Sequence, residues 1–194
     1  MLNKEFWNNR YKDQQTGWDI GYPSTPLQSF VDSLSKKDIA ILIPGCGRAY
    51  EAEYLHQNEF KNVTILDISP LALEAFSNRV VDFPQSNLIE SNFFDHSGHY
   101  DLIIEQTFFC AIDPKLRASY VKHCHNLLKD NGKIVGLLFA EEFDNDHPPF
   151  GGTKKEYQQL FSTHFDIESM HIATNSIEAR KGKELFINLK KKKV

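Results

Sequence analysis

The sequence has no run of eighteen or more apolar residues, which excludes a membrane-spanning helix. Its opening, MLNKEFWNNRYKD, is polar and aromatic and lacks the apolar stretch of a secretory leader. Cysteine is scarce. Cys46, Cys110 and Cys124 are odd in number and widely spaced, and no C-x-x-C pair exists to hold a metal. They read as unpaired thiols in a reducing compartment, so a cytoplasmic location is expected. An excess of positive charge is also missing. A net charge of −4 argues against a surface that binds nucleic acid as a whole. There is no internal repeat and no low-complexity linker, and the clusters Gly21-Tyr22-Pro23 and Pro148-Pro149-Phe150-Gly151-Gly152 are short enough to be loops.

What is present suits one soluble α/β domain of 194 residues, 41% apolar and 25% charged. Ile39 to Ile43 is a continuous apolar run, the mark of a strand buried on both faces. Further strand segments follow at Val63 to Leu66, Leu88-Ile89, Tyr100 to Glu105 and KIVGLLFA. Between them the pattern predicts helices over Ala49 to Gln57, after the Ser69-Pro70 start signal, and from Asp113-Pro114 through Leu127-Leu128, with Asn131-Gly132 as the stop. A helix over Thr153 to Phe161 and two β-rich segments, Phe165 to Ala173 and Glu184 to Leu189, complete the chain. Alternating strands and helices predict a doubly wound, mostly parallel sheet covered on both faces. About 35 residues precede it as an extension.

In such sheets ligands sit beyond the carboxyl ends of the strands. That edge collects Gly45, Asp67, Asn92, Glu105 and the loop after Ala140. The turn Gly45-Cys46-Gly47 needs a ligand that approaches bare backbone. A phosphate-cradling G-x-x-x-x-G-K-[ST] is absent, and the third glycine of a dinucleotide turn is replaced by Tyr50. Asp67 ends the second strand, where an acid can grip ribose hydroxyls. That feature is common to nicotinamide and S-adenosylmethionine enzymes. Asn92-Phe93-Phe94 could flank an adenine, and Glu105-Gln106 ends the fourth strand where a methyl donor's amino-acid part would lie. The order of pieces is that of a class I methyltransferase. Trp7 and Tyr11 share a helix face at i, i+4, and Trp18 follows. Aromatic faces attract a sulfonium cation, at ~1–2 kcal/mol when desolvated. The same rings could equally staple the extension to the core.

The segments FWNNRYKDQQTGWDIGYPSTPL, IPGCGRAYE, LDISPLALEAF, YDLIIEQTFFCAIDPKLRASY, LLKDNGKIVGLLF, HPPFGG and EARKGKEL carry a resemblance. The chain resembles the thiopurine S-methyltransferase-like enzymes, with the greatest likeness to the plant thiol/halide methyltransferases. The resemblance implies a seven-stranded Rossmann-like sheet over residues 36–194 and a helical lid over residues 1–35. It implies S-adenosylmethionine as cofactor, no metal, and a small-molecule acceptor, with neither nucleic acid nor membrane as partner. A monomer is expected. Carried over by position, Trp7, Tyr11, Trp18, Gly45, Asp67, Asn92, Phe93 and Gln106 would bind the cofactor. Tyr11, Asn92 and Gln106 depart from the family's usual residues.

The expected reaction is in-line methyl transfer to a soft nucleophile such as a thiol, bisulfide, thiopurine, selenium compound or halide. Such an acceptor needs no general base at the moment of attack, so no catalytic residue is assigned. Glu105, Asp144 and His147 are the acids and bases at hand if a thiol must be deprotonated in place. Trp18, Phe108, Phe109, Phe150 and Arg180 are the candidates for the acceptor pocket. Cys46 reads as a small residue in a tight turn, because no base stands beside it. His123 and His125 diverge on one helix, and the lysine-rich tail reads as the solvated end of a strand. The alternative is a protein that binds the cofactor for regulation, without turnover.

Overall fold

The computed structural model describes residues 2–193. One sheet organises the chain, with seven strands in the order β3-β2-β1-β4-β5-β7-β6. They are β1 Ile41–Pro44, β2 Val63–Asp67, β3 Leu88–Glu90, β4 Tyr100–Gln106, β5 Leu128–Phe139, β6 Phe165–Ile172 and β7 Glu184–Lys191. The first five pair in parallel. β7 runs antiparallel to both β5 and β6 and lies between them. This is the doubly wound, mostly parallel α/β architecture expected from the alternating pattern.

Side-chain alternation divides the apolar residues between two cores. Ile41, Ile43, Val63, Ile65, Leu102 and Ile104 face one way. They are covered by α2 (Thr25–Asp32), α3 (Tyr50–Gln57) and α4 (Pro70–Arg79) through Leu27, Leu55 and Phe76. Leu42, Leu66, Ile103, Ile134 and Leu138 face the other way, against α5 (Arg117–Leu127) and α6 (Lys154–Phe161). With both faces covered, β1 is buried along its whole length, which is why it reads as an unbroken apolar run.

Helix boundaries follow local chemistry. Thr153 and Glu156 form a reciprocal capping box at the start of α6. Ser69, expected to cap α4 with its side chain, does not, and the Asp67 carboxylate accepts its amide at 2.8 Å instead. α3 starts at Tyr50 because Ala49 takes a left-handed φ of +53°. α5 ends at Leu127, one residue short of the expected end, and Leu128 already belongs to β5. Asn131 takes φ +64° inside β5, so the Asn131-Gly132 signal marks an irregularity in a strand that has already begun. Ahead of the sheet, α1 (Lys4–Lys12) is capped by Asn3 and lies against α4.

Candidate functional site

β1 and β4 are neighbours in the sheet although β2 and β3 come between them in the chain. Connections therefore leave this pair in opposite directions and open a cleft at its carboxyl end. The glycine turn lines one side. Gly45 and Gly47 both take φ +54°, and Ala49 follows at +53°. Left-handed backbone at alternate residues is cheap only for glycine. A Cβ on Gly45 would lie 2.1 Å from Phe108 Cδ2, so the phenyl ring rests directly on the backbone. A Cβ on Gly47 would meet the Tyr11 hydroxyl at 3.4 Å and the Trp18 Nε1 at 3.8 Å. Aromatic side chains from two separate parts of the chain thus roof the two glycines.

Asp67 braces the turn from beneath. Its Oδ2 accepts the Gly47 amide at 2.9 Å and its Oδ1 the Ser69 amide at 2.8 Å. Burial pushes its carboxyl up to about 6, while bonds from the Ser69 and Gly47 amides pull the other way. The Ile68 amide pulls the same way as those two, so the carboxylate is largely taken up by backbone donors. Burial also raises the Tyr11 phenol, and the Asp67 charge adds to that rise.

Across the cleft, Glu105 is 1% exposed near the end of β4. Its Oε1 accepts the amides of Phe108 and Phe109, each at 2.8 Å, and its Oε2 accepts the Tyr120 hydroxyl at 2.7 Å. Burial raises it to about 7. Thr107 between them takes a left-handed φ of +59°, a conformation costly for a β-branched residue. The clamp on Glu105 offsets that strain. Gln106 is half-buried, and its Oε1 has no hydrogen-bond partner in the structure.

The turn sends two adjacent phenylalanines to different places. Phe108 lies over Gly45, whereas Phe109 is 1% exposed and packs among Tyr120, Tyr157 and Phe161. The expectation that Phe109 lines the pocket is therefore corrected: its ring belongs to the core. Phe93 is likewise 3% exposed, set between Phe108, Tyr120 and His123. Its ring is core and its backbone is what remains for a ligand. Asn92 is exposed and caps the short turn Phe93–Asp95 through the Phe94 amide. Phe150 is half-buried, its amide donating to Cys110 O at 2.7 Å and its carbonyl accepting from Arg117.

The extension packs on itself and is tied down at several points. Trp7 and Tyr11 meet the Trp18 indole edge-on, with centroids at 5.6 and 5.8 Å. Ser69 Oγ donates to Asn8 Oδ1 at 2.6 Å, Arg48 pairs with Asp19 at 3.5 Å, and the Ser24 amide donates to Glu51 at 2.9 Å. Arg180 donates to the Trp18 carbonyl at 2.8 Å. Asn8, Asp19, Arg48 and Glu51 escaped sequence reasoning, and Ser69 read only as a helix start, since nothing in a lone polar residue announces a partner far away in the chain.

The remaining candidates lie elsewhere. Asp144 and His147 are exposed, and the His147 Nδ1 faces the neighbouring Pro148 carbonyl. His123 packs on Phe93, while His125 turns to His164 and the Lys192 carbonyl. Lys191 and Lys192 cap the carbonyls of Leu128 and Ser162. Burial raises the Cys46 thiol well above its ordinary value, which leaves it a poor nucleophile. Among the described residues no cluster of three or more His, Cys, Asp or Glu is placed to hold a metal ion. None of their helices is long and apolar enough to cross a membrane.

A family model described as thiopurine S-methyltransferase (TPMT) matches residues 2–194. The chain belongs to this family. It is 28% identical over 192 residues to "Probable thiol methyltransferase 2" of Arabidopsis thaliana, covering 95% of this chain and 84% of that protein. To "Thiocyanate methyltransferase 1" of Brassica oleracea it is 30% identical over 191 residues, with the same 95% and 84% covered. Among solved structures, Burkholderia thailandensis 1,6-didemethyltoxoflavin-N1-methyltransferase with bound 1,6-didemethyltoxoflavin and S-adenosylhomocysteine superposes with a TM-score of 0.77. There the identity is 16%, over 98% of this chain and 87% of the other, so that likeness concerns the fold.

As a member of the thiopurine S-methyltransferase family the chain is an S-adenosylmethionine-dependent methyltransferase. The groups at this edge that a nucleoside cofactor could use are the glycine turn, the buried Asp67 carboxylate and Gln106, whose Oε1 has no hydrogen-bond partner.

Proposed function

We propose that the cleft transfers a methyl group to a small soft nucleophile: a thiol or bisulfide, a thiopurine, a selenium compound or a halide. One observation carries the reading. The glycine turn is covered by the aromatic rings of Phe108, Tyr11 and Trp18, and both buried acids at the cleft are engaged, Glu105 by Phe108, Phe109 and Tyr120 and Asp67 by the Gly47 and Ser69 amides. Such a site offers desolvation and alignment and little acid–base chemistry. Alignment alone can supply ~7–11 kcal/mol of the barrier. Soft anions are suited to it, because they attack without surrendering a proton. The names of the plant relatives, thiol and thiocyanate methyltransferases, point to acceptors of this kind.

When bound, S-adenosylmethionine supplies a methyl group on a sulfonium whose departure leaves a neutral thioether. Asp67 is assigned to its ribose hydroxyls, Gly45 and Gln106 to its amino-acid end, and Asn92 with the Phe93 backbone to its adenine. Trp7, Tyr11 and Trp18 close over it and exclude water. Trp18, Phe108, Phe150 and Arg180 are assigned to the acceptor side. No metal takes part. Residues 1–35 act as the lid and 36–194 as the core of one methyltransferase domain. That domain works as a cytoplasmic monomer, with small molecules rather than nucleic acid or membrane as its partners.

Calorimetry with S-adenosylhomocysteine, followed by turnover assays with thiols, bisulfide, halides and thiopurines, tests this reading. Expected are saturable heat and methylation of at least one sulfur or halide acceptor. Absence of heat would overturn the assigned cofactor site. Binding without turnover on every acceptor would overturn the catalytic reading and favour a regulatory binding protein.

A further inference from the structure

The rings of Trp7, Tyr11 and Trp18 pack on one another. Leu27 and Val31 of α2 anchor the end of the extension in the core, and the stretch before α2 is fastened largely by polar contacts. Asn8, Asp19 and Ser24 bond to Ser69, Arg48 and Glu51, on or beside α4 and α3. These belong to the β1–β3 side of the cleft. Arg180 comes from the opposite side and is 162 positions away from Trp18 in the chain.

Arg180 ends the 3₁₀ turn Glu178–Arg180 that precedes β7. Its Nη2 donates to the Trp18 carbonyl at 2.8 Å, and its Nη1 lies 3.3 Å from Glu184 Oε1. The two side chains are only 11% and 4% exposed. The guanidinium lies 5.8 Å from the Phe139 ring centroid. Glu184 is fixed in turn, because its backbone pairs with Phe139 of β5 and its carbonyl accepts the Ala173 amide. A planar guanidinium presents its donors in a rigid fork, so one side chain can grip a carboxylate and a carbonyl together. The segment it grips is otherwise held by Trp7 and Tyr11 against the indole and by the Asp19–Arg48 pair, all from the extension or the β1–β3 side. Gly17 and Gly21 flank Trp18, and no heavy atom lies within 4 Å of where a Cβ would stand on either.

We propose that Arg180, oriented by Glu184, is a positioning residue that latches Trp18 over Gly47 and thereby sets how fast the lid releases the cofactor's product. The bond reaches the backbone of Trp18, so it fixes where the indole stands whatever the acceptor is. It joins the β6–β7 connection on the acceptor side to the lid on the cofactor side. This proposal rests on the cofactor site assigned above.

The chain has two tryptophans, Trp7 and Trp18, both in the extension, so emission excited selectively at tryptophan reports on the lid alone. Stopped-flow release of S-adenosylhomocysteine is to be measured for wild type, R180A, R180K and E184Q, with acrylamide quenching of each protein free of ligand. Release at least tenfold faster in R180A, several-fold faster in E184Q and intermediate in R180K supports the latch, together with stronger quenching in the same order. A lysine can reach the Trp18 carbonyl or Glu184 but cannot span both, so its partial rescue separates a latch from a mere positive charge. If R180A does not fold, E184Q and R180K decide. Release and quenching within twofold of wild type in the folded variants overturn the proposal. So does a loss confined to acceptor KM with product release unchanged. If wild type binds no S-adenosylhomocysteine, the cofactor assignment fails, and quenching of the ligand-free proteins alone decides the latch.

Discussion

Asp67 accepts the Gly47 and Ser69 amides through separate oxygens, so it shapes the turn before any ligand arrives. Burial holds its carboxyl near 6. Below that value the acid is protonated and offers the ribose hydroxyls a weaker acceptor. Affinity for S-adenosylhomocysteine is therefore expected to rise as pH increases through about 6. Asp67→Asn should lose ~1–3 kcal/mol of binding, the range for breaking a bond to a charged group. It should also abolish the pH dependence. Calorimetry from pH 5 to 8 checks both, and an unchanged affinity removes Asp67 from the site. Glu105, raised from 4.5 to about 7, makes a statement about folding. An acid whose folded value lies above its ordinary one favours the fold when protonated. Its contribution is complete below about 4.5 and is lost as pH rises toward 7. In Glu105→Gln the amide oxygen can accept both backbone N–H groups and the NH₂ can donate to Tyr120. The urea midpoint of that variant should fall less steeply between pH 5 and 7 than that of wild type. Equal slopes would show that the titration belongs to another group.

At the scale of elements, the glycine turn and the β4 turn act as one joint, since Phe108 of the second rests on Gly45 of the first. Gly45→Ala forces a left-handed alanine, at ~1–2 kcal/mol. It also drives a methyl into the Phe108 ring, and overpacking adds ~1–3 kcal/mol. Gly21→Ala meets open space at φ +82° and should bear the backbone term alone. Urea melts of the two variants should differ by at least the overpacking term. Equal losses would mean that Phe108 can swing away freely. These elements were legible to different degrees. Continuous apolar runs gave away β1, β2, β4 and β5, because a strand covered on both faces leaves no polar alternation. The Gly45-Cys46-Gly47 turn and Asp67 were legible because few other residue types serve there. The β4 turn was not. A left-handed Thr107 contradicts the preference of threonine, and only that kink sends Phe108 to the cleft and Phe109 to the core. Glu105 read as a free acid at a strand end for the same reason: its partners appear only once the turn has closed on it.

For the whole molecule, the extension adds a surface that ligand should settle. At a hundredfold excess over Kd, S-adenosylhomocysteine should stabilise the fold by ~2.7 kcal/mol, seen as a raised Tm. Acrylamide quenching of Trp7 and Trp18 should fall along the same titration. A raised Tm with unaltered quenching would mean that the ligand binds without closing the aromatic rings over it. That the first five strands lie parallel was legible from their alternation with helices, though not their order across the sheet. Nothing in the apolar pattern of the last two says which is the outer one, since β6 and β7 each show alternating or near-continuous burial. The residues showed seven β segments, and the resemblance to a known family joined them in one sheet. That β7 lies between β5 and β6 bears on how the protein is made. As the chain leaves the ribosome, β6 emerges with no strand to pair with, because its one neighbour in the sheet has yet to be translated. The parallel half can assemble early, glycine turn and Asp67 included. The wall that carries Arg180 and Glu184 must wait for β7, so a nascent chain has half its cleft well before it can shut it.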